Sequence, residues 1–165
     1  MNITWNVVAE CLRDEVQEYG GLLRLFEEQQ ECVFNRDTGR LLELIEIINA
    51  AIGRAEDIRR RREDCVSSFA SSLGCSPDAT LRSLLPCIDD PVRPLLEALI
   101  DEVNVLIHRL RQIIRQNHLL FSRTFELQQG LLRQSCPGAF TPARSGLRRV
   151  SAAAPGPLAA FRVVS

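Results

Sequence analysis

Six cysteines, at positions 11, 32, 65, 75, 87 and 136, and two histidines, His108 and His118, are the side chains of this 165-residue chain best suited to hold a metal. Zinc sites draw on closely spaced ligand pairs, and no two of these cysteines stand in a C-x-x-C arrangement. A di-metal carboxylate bundle needs Glu-x-x-His on its helices, and neither histidine has an acid three residues before it. All 20 basic residues are arginine, which excludes a Schiff-base lysine and the lysine of a phosphate-binding loop. Acids are plentiful, but no spacing separates a tuned acid–base pair from ordinary surface charge. The expectation is therefore a protein that is not an enzyme and uses no cofactor or metal. The cysteines read as reduced thiols serving as small core or boundary residues.

Hydrophobic residues make up 45% of the chain, enough for a packed core, and the formal charge of −1 argues against a protein built around nucleic acid. That balance conceals an asymmetry. Residues 1–64 carry 14 acids against 9 arginines, whereas 137–165 carry four arginines and no acid. The start of the chain lacks a basic stretch followed by an apolar one, so no secretion signal is expected, and no apolar run approaches the roughly 18 residues of a membrane span. A cytoplasmic location follows as the expectation.

The periodicity predicts three long helices. From Thr4 to about Phe34, Leu12, Tyr19, Phe26 and Val33 fall seven apart, with Val8 and Leu22 on the alternating row, where Glu15 and Gln29 interrupt. Gly20 and Gly21 weaken the middle of this helix and leave room for a bend or a close helix approach. Asn35, Asp37 and Thr38 are candidate caps for a second helix reaching about Ser72. Within it, "RRRRE" at 59–63 invites a nucleic-acid reading. Consecutive helical residues point in different directions, however, and acids at 56, 57, 63 and 64 lie within pairing distance, so a solvated, salt-bridged stretch is expected. A connector rich in proline follows, with one helical turn near Thr80 to Leu85. "DDPVRP", with Asp90 as the cap, starts a third helix from about Val92 to Gln134.

The fold class is all-α: three long antiparallel helices in a coiled-coil-like bundle, residues 1–136, with a flexible tail rich in Ala, Pro and Arg at 137–165. Along the third helix Leu96, Val103, Leu110, Asn117, Thr124 and Leu131 form one row. A polar residue such as Asn117 on a core seam costs stability and fixes register and partner. At about 43 residues this helix is roughly 64 Å long, longer than the other two, so part of its apolar stripe should overhang and await a partner helix.

The order "LLRLFEEQQECVFNRDTGRLLELIEIINAAI", "AEDIRRRRE", "SSLG" and "IIRQNHLLFSRTFELQQGLL" resembles the FlgN-type flagellar export chaperones over most of residues 8–135. Asp37 before the second helix, Glu56 with Arg59 or Arg60 near its middle, and Asn117 followed by Leu119 and Leu120 match positions that family tends to use. The resemblance implies a cytosolic chaperone of type III secretion. Such a protein holds hook–filament junction proteins of the FlgK and FlgL type and delivers them to the membrane export gate. Expected client-binding residues are Asn117, Leu120, Phe121, Thr124, Leu127 and Leu131. Phe140, near the position of the family's tyrosine, and Arg144 are expected to dock on the cytoplasmic domain of the gate. The competing reading is a generic coiled-coil scaffold or oligomerisation protein without a secreted client.

Overall fold

The computed structural model describes residues 5–88, 91–135 and 161–164. Its elements are α1 (Trp5–Asn35), α2 (Thr38–Ser72), a single turn α3 (Leu81–Leu84) running into a 3-10 turn (Leu85–Cys87), and α4 (Arg93–Ser135). Each predicted helix is present with its ends within a residue or two, and the described residues include no strand. Gly20 and Gly21 do not interrupt α1, and a Cβ at either would meet nothing within 4 Å, so neither marks a close approach. Asp90 lies outside the described residues.

The ends of α2 explain themselves. Asp37 accepts from the Arg40 amide at 3.0 Å, which makes it the cap among the three candidates. At the far end Gly74, at φ 72°, adopts the left-handed conformation that lets Gly74 N bond Ser71 O and Cys75 N bond Ala70 O, the paired closure that absorbs the last free carbonyls. Below it Leu81, Leu84, Leu85 and Ile88 are buried and close the base of the bundle.

Helix α1 packs along both α2 and α4, while α2 and α4 make few close backbone approaches to each other. Ion pairs from Arg61 to Asp14, Arg54 to Glu18 and Arg40 to Glu28 show that α2 runs antiparallel to α1. Asn117 stands level with Phe26 and Gln29, and residues 120–131 with Cys32 to Phe34, so α4 runs parallel to α1. The topology is up-down-up, with α1 shared by both neighbours. Among the cysteines, Cys11 and Cys32 are buried, and the Cys11 thiol donates to Cys65 Sγ at 3.7 Å across the α1–α2 seam. Burial pushes the Cys65 thiol up to about 11, so it is protonated and inert at neutral pH.

The arginine run departs from expectation. Arg59 pairs with Glu63 and Arg61 with Asp14 near solvent, but Arg62 is buried and its Nε donates to Glu15 at 2.9 Å inside the α1–α2 seam. The stretch is salt-bridged, but not wholly solvated. Arg62 stands seven residues after Ala55 and seven before Phe69, both buried, so the heptad itself turns it inward. Glu15 is 0% exposed, its Oε2 has no hydrogen-bond partner among the described residues, and burial pushes its carboxyl above the usual 4.5 against the pull of Arg62.

Two outcomes follow for this pair. Glu15→Ala strands a buried guanidinium and should cost about 3–5 kcal/mol in denaturant unfolding, whereas Glu15→Met combined with Arg62→Met should regain most of that loss. A raised carboxyl holds its proton more tightly in the folded chain. Its contribution is therefore fully present below about pH 4.5 and declines as pH rises through the folded value. Glu15→Gln should remove that decline, visible as a flatter dependence of the unfolding midpoint on pH.

Candidate functional site

The site begins where α1 stops. Asp37 N bonds Cys32 O at 2.9 Å and Arg36 N bonds Val33 O, the same two-bond closure that ends α2. Here the left-handed position is filled by Arg36, at φ 57°, instead of a glycine. A side chain in that conformation costs about 1–2 kcal/mol. The reversal is tight, α2 begins within three residues of the end of α1, and Phe34 in the last turn of α1 is left largely exposed.

Opposite it lies the second half of α4. Burial along α4 runs from Leu96 to Asn117 and ends there among the residues whose side chains are described. Counting from Asn117, level with Phe26 and Gln29, α4 continues about ten residues past the end of α1, or about 15 Å. Leu120 and Phe121 are half-buried, whereas Phe125 (60%), Leu127 (71%), Leu131 (63%) and, on α1, Phe34 (68%) are largely exposed.

Between these walls is an open groove of ≈ 770 Å³. Its α4 wall is Leu120, Phe121, Thr124, Phe125, Leu127, Gln128 and Leu131; its other wall comes from Cys32, Val33 and Phe34 of α1, Arg36 in the turn, and Thr38 and Leu41 of α2. Among the described residues that line it, Arg36 is the one cation and none is an acid. The Thr124 hydroxyl donates to Leu120 O at 2.9 Å, so its polar atom is satisfied within the helix and its methyl is left to pack. Such a surface offers apolar area and shape with a thin polar rim, the properties that seat an amphipathic helix.

Five of the six expected client-binding residues, Leu120, Phe121, Thr124, Leu127 and Leu131, line this one groove. Asn117 sits one turn below it, 3% exposed, with Nδ2 donating to Phe26 O at 2.9 Å and to Gln29 Oε1 at 3.0 Å. Its carboxamide is committed to the α1–α4 seam. Phe140 and Arg144 lie outside the described residues. Sequence reasoning missed the opposite wall. Phe34, directly before the polar turn "NRDTGR", was the available signal, since an aromatic ring at a helix end has no seam to enter.

A sequence model of the family described as FlgN protein matches residues 1–138. This chain belongs to the FlgN family. The match takes in all four helices and every residue that lines the groove. FlgN proteins are flagellar export chaperones, which bind flagellar export substrates, so the family agrees with the earlier resemblance. Searches of the curated proteins and of the solved structures return no match. Among the described residues of this FlgN protein, no helix is long and apolar enough to cross a membrane, and no three His, Cys, Asp or Glu side chains gather as a metal set would.

The buried carboxamide under the groove has a measurable role. Asn117→Ala removes two hydrogen bonds and strands the Gln29 side chain, which should lower stability by about 1–3 kcal/mol. Helicity by circular dichroism at ambient temperature should be kept.

Proposed function

We propose that this FlgN-family chain is a cytoplasmic chaperone for hook–filament junction proteins of the FlgK and FlgL type. It holds them by seating an amphipathic helix of theirs in the groove between the end of α1 and the second half of α4. The observation that supports this reading is the overhang. Some of the largest apolar side chains of α4 lie where the chain's own helices no longer cover them, beside an equally uncovered Phe34. An apolar stripe at helical spacing next to a second apolar wall fits a third helix laid between them. Burial of Leu127 and Leu131 alone would contribute about 1.5–3 kcal/mol each to such a complex. The reading needs no bond-making step: shielding an aggregation-prone helix until export is a matter of affinity and release.

Delivery is the second half of the proposal. Phe140 and Arg144 would meet the cytoplasmic part of the export gate, with ring burial standing in for the hydroxyl of the family's tyrosine. Client and gate are thereby assigned to different parts of the chain.

Leu127→Asp and Leu131→Asp test the groove. Both side chains are mostly exposed, so each change should shift unfolding by no more than about 0.5 kcal/mol. Calorimetric titration with the C-terminal segment of a junction protein should show at least a tenfold loss of affinity for each. Unchanged affinity would place the client elsewhere. A tight homo-oligomer that hides these leucines would favour the scaffold reading.

A further inference from the structure

Residues 161–164, at the far end of the segment expected to be a flexible extension, are packed on the bundle. Phe161 is fully buried, its ring edge-on to Tyr19 of α1 with centroids 5.7 Å apart, and Val164 is 2% exposed. Three polar contacts read the backbone of this short stretch. Asn104 of α4 donates Nδ2 to Val164 O at 2.9 Å and accepts from Val164 N at 2.7 Å. Seven residues further along the same face of α4, Arg111 donates to Phe161 O. A carboxamide that takes both the N–H and the C=O of one residue imitates the pairing of a neighbouring β-strand, which favours an extended segment. Between the two buried side chains, Arg162 and Val163 are exposed.

We infer that the cleft between α1 and the first half of α4 is a reversible docking site for an extended aromatic-x-x-aliphatic peptide, and that its occupant is the chain's own C-terminal segment. The geometry permits docking in cis. Ser135 is about 36 Å along α4 from Arg111, and the connection of about 25 residues reaches up to about 80 Å when extended. The tether also keeps the local concentration of the segment high, which favours the cis occupant over a second copy. Reversibility follows from the scale of the contact. Two buried side chains and three hydrogen bonds oppose the ordering of four residues and the closure of a long loop, terms of comparable size. The docking does not need the groove at the other end of the bundle, so it stands whether or not that groove holds a client.

The test uses the full chain. Phe161→Ala weakens the cis segment and leaves the cleft intact. A fluorescent peptide of residues 157–165, titrated by anisotropy, should bind this variant at least tenfold more tightly than it binds the unmodified chain. Asn104→Ala added to Phe161→Ala should weaken the peptide at least tenfold, while Arg162→Ala in the peptide should change little, because Arg162 is exposed. Amide exchange supplies a second measurement in case Phe161→Ala unfolds. The Val164 N–H should be protected in the unmodified chain and lose at least tenfold of that protection in Asn104→Ala, with the amides of α1 and α4 unaffected. Equal peptide binding to both chains, no binding to either, or an unprotected Val164 amide would overturn the proposal. Peptide binding that tracks a concentration-dependent dimer would replace the cis occupant with a second copy.

Discussion

Helix α1 has to serve two partners with one stripe, and two polar residues on that stripe decide how each partner lies. Val8, Glu15, Leu22 and Gln29 fall seven apart, and all four are buried. The apolar pair would tolerate sliding by a heptad; the polar pair does not. Glu15 finds Arg62 on α2, and Gln29 finds Asn117 on α4. A slip of either neighbour would bury a charge or an amide opposite an aliphatic side chain, with a penalty of several kcal/mol for the charge. Each interruption of the heptad thus specifies a different interface.

Register, once set, determines what is left uncovered. Because Asn117 must lie level with Phe26 and Gln29, α4 overruns the end of α1 by a fixed length, and Leu127 and Leu131 emerge beyond it. The groove is therefore a consequence of alignment as much as of composition. A shift of α4 by one heptad toward its own start would draw Leu127 alongside α1 and close part of the groove. Stability is given up at two buried polar sites, one of which keeps an unpaired carboxylate oxygen and the other an unpaired carbonyl among the described residues. In exchange one arrangement of three long helices is singled out from several of similar apolar burial.

Much of this was legible in the sequence. The heptad period and the Asp37 cap placed the helices, and the α4 row from Leu96 to Leu131 holds two of the residues that line the groove, Thr124 and Leu131. What escaped has physical causes. Arg62 hid within four consecutive arginines, where charge suggests solvent; only its position seven residues from Ala55 and from Phe69 shows that one of the four faces inward. The facing wall of the groove escaped because a helix end and a turn carry no period of their own. Phe161 and Val164 escaped for a third reason. Two side chains anchored through a carboxamide on a distant helix leave no local pattern in a stretch dominated by Ala and Pro.

The two halves of the bundle are consequently unlike. Toward its base, α1 and α4 are sealed by Leu96 to Ile114, by the closing residues Leu81 to Ile88, and by Phe161 against Tyr19. Toward its other end, past Asn117, the described α4 side chains are at most half-buried, and beyond the end of α1 the helix continues for roughly three turns on its own backbone bonds. An isolated helical stretch of that length is marginal in water, and its persistence relies on the packed half acting as a ready nucleus. A partner helix added to the exposed half would then stabilise backbone already in place rather than fold it from coil. The ordering cost of such binding would fall mainly on the partner.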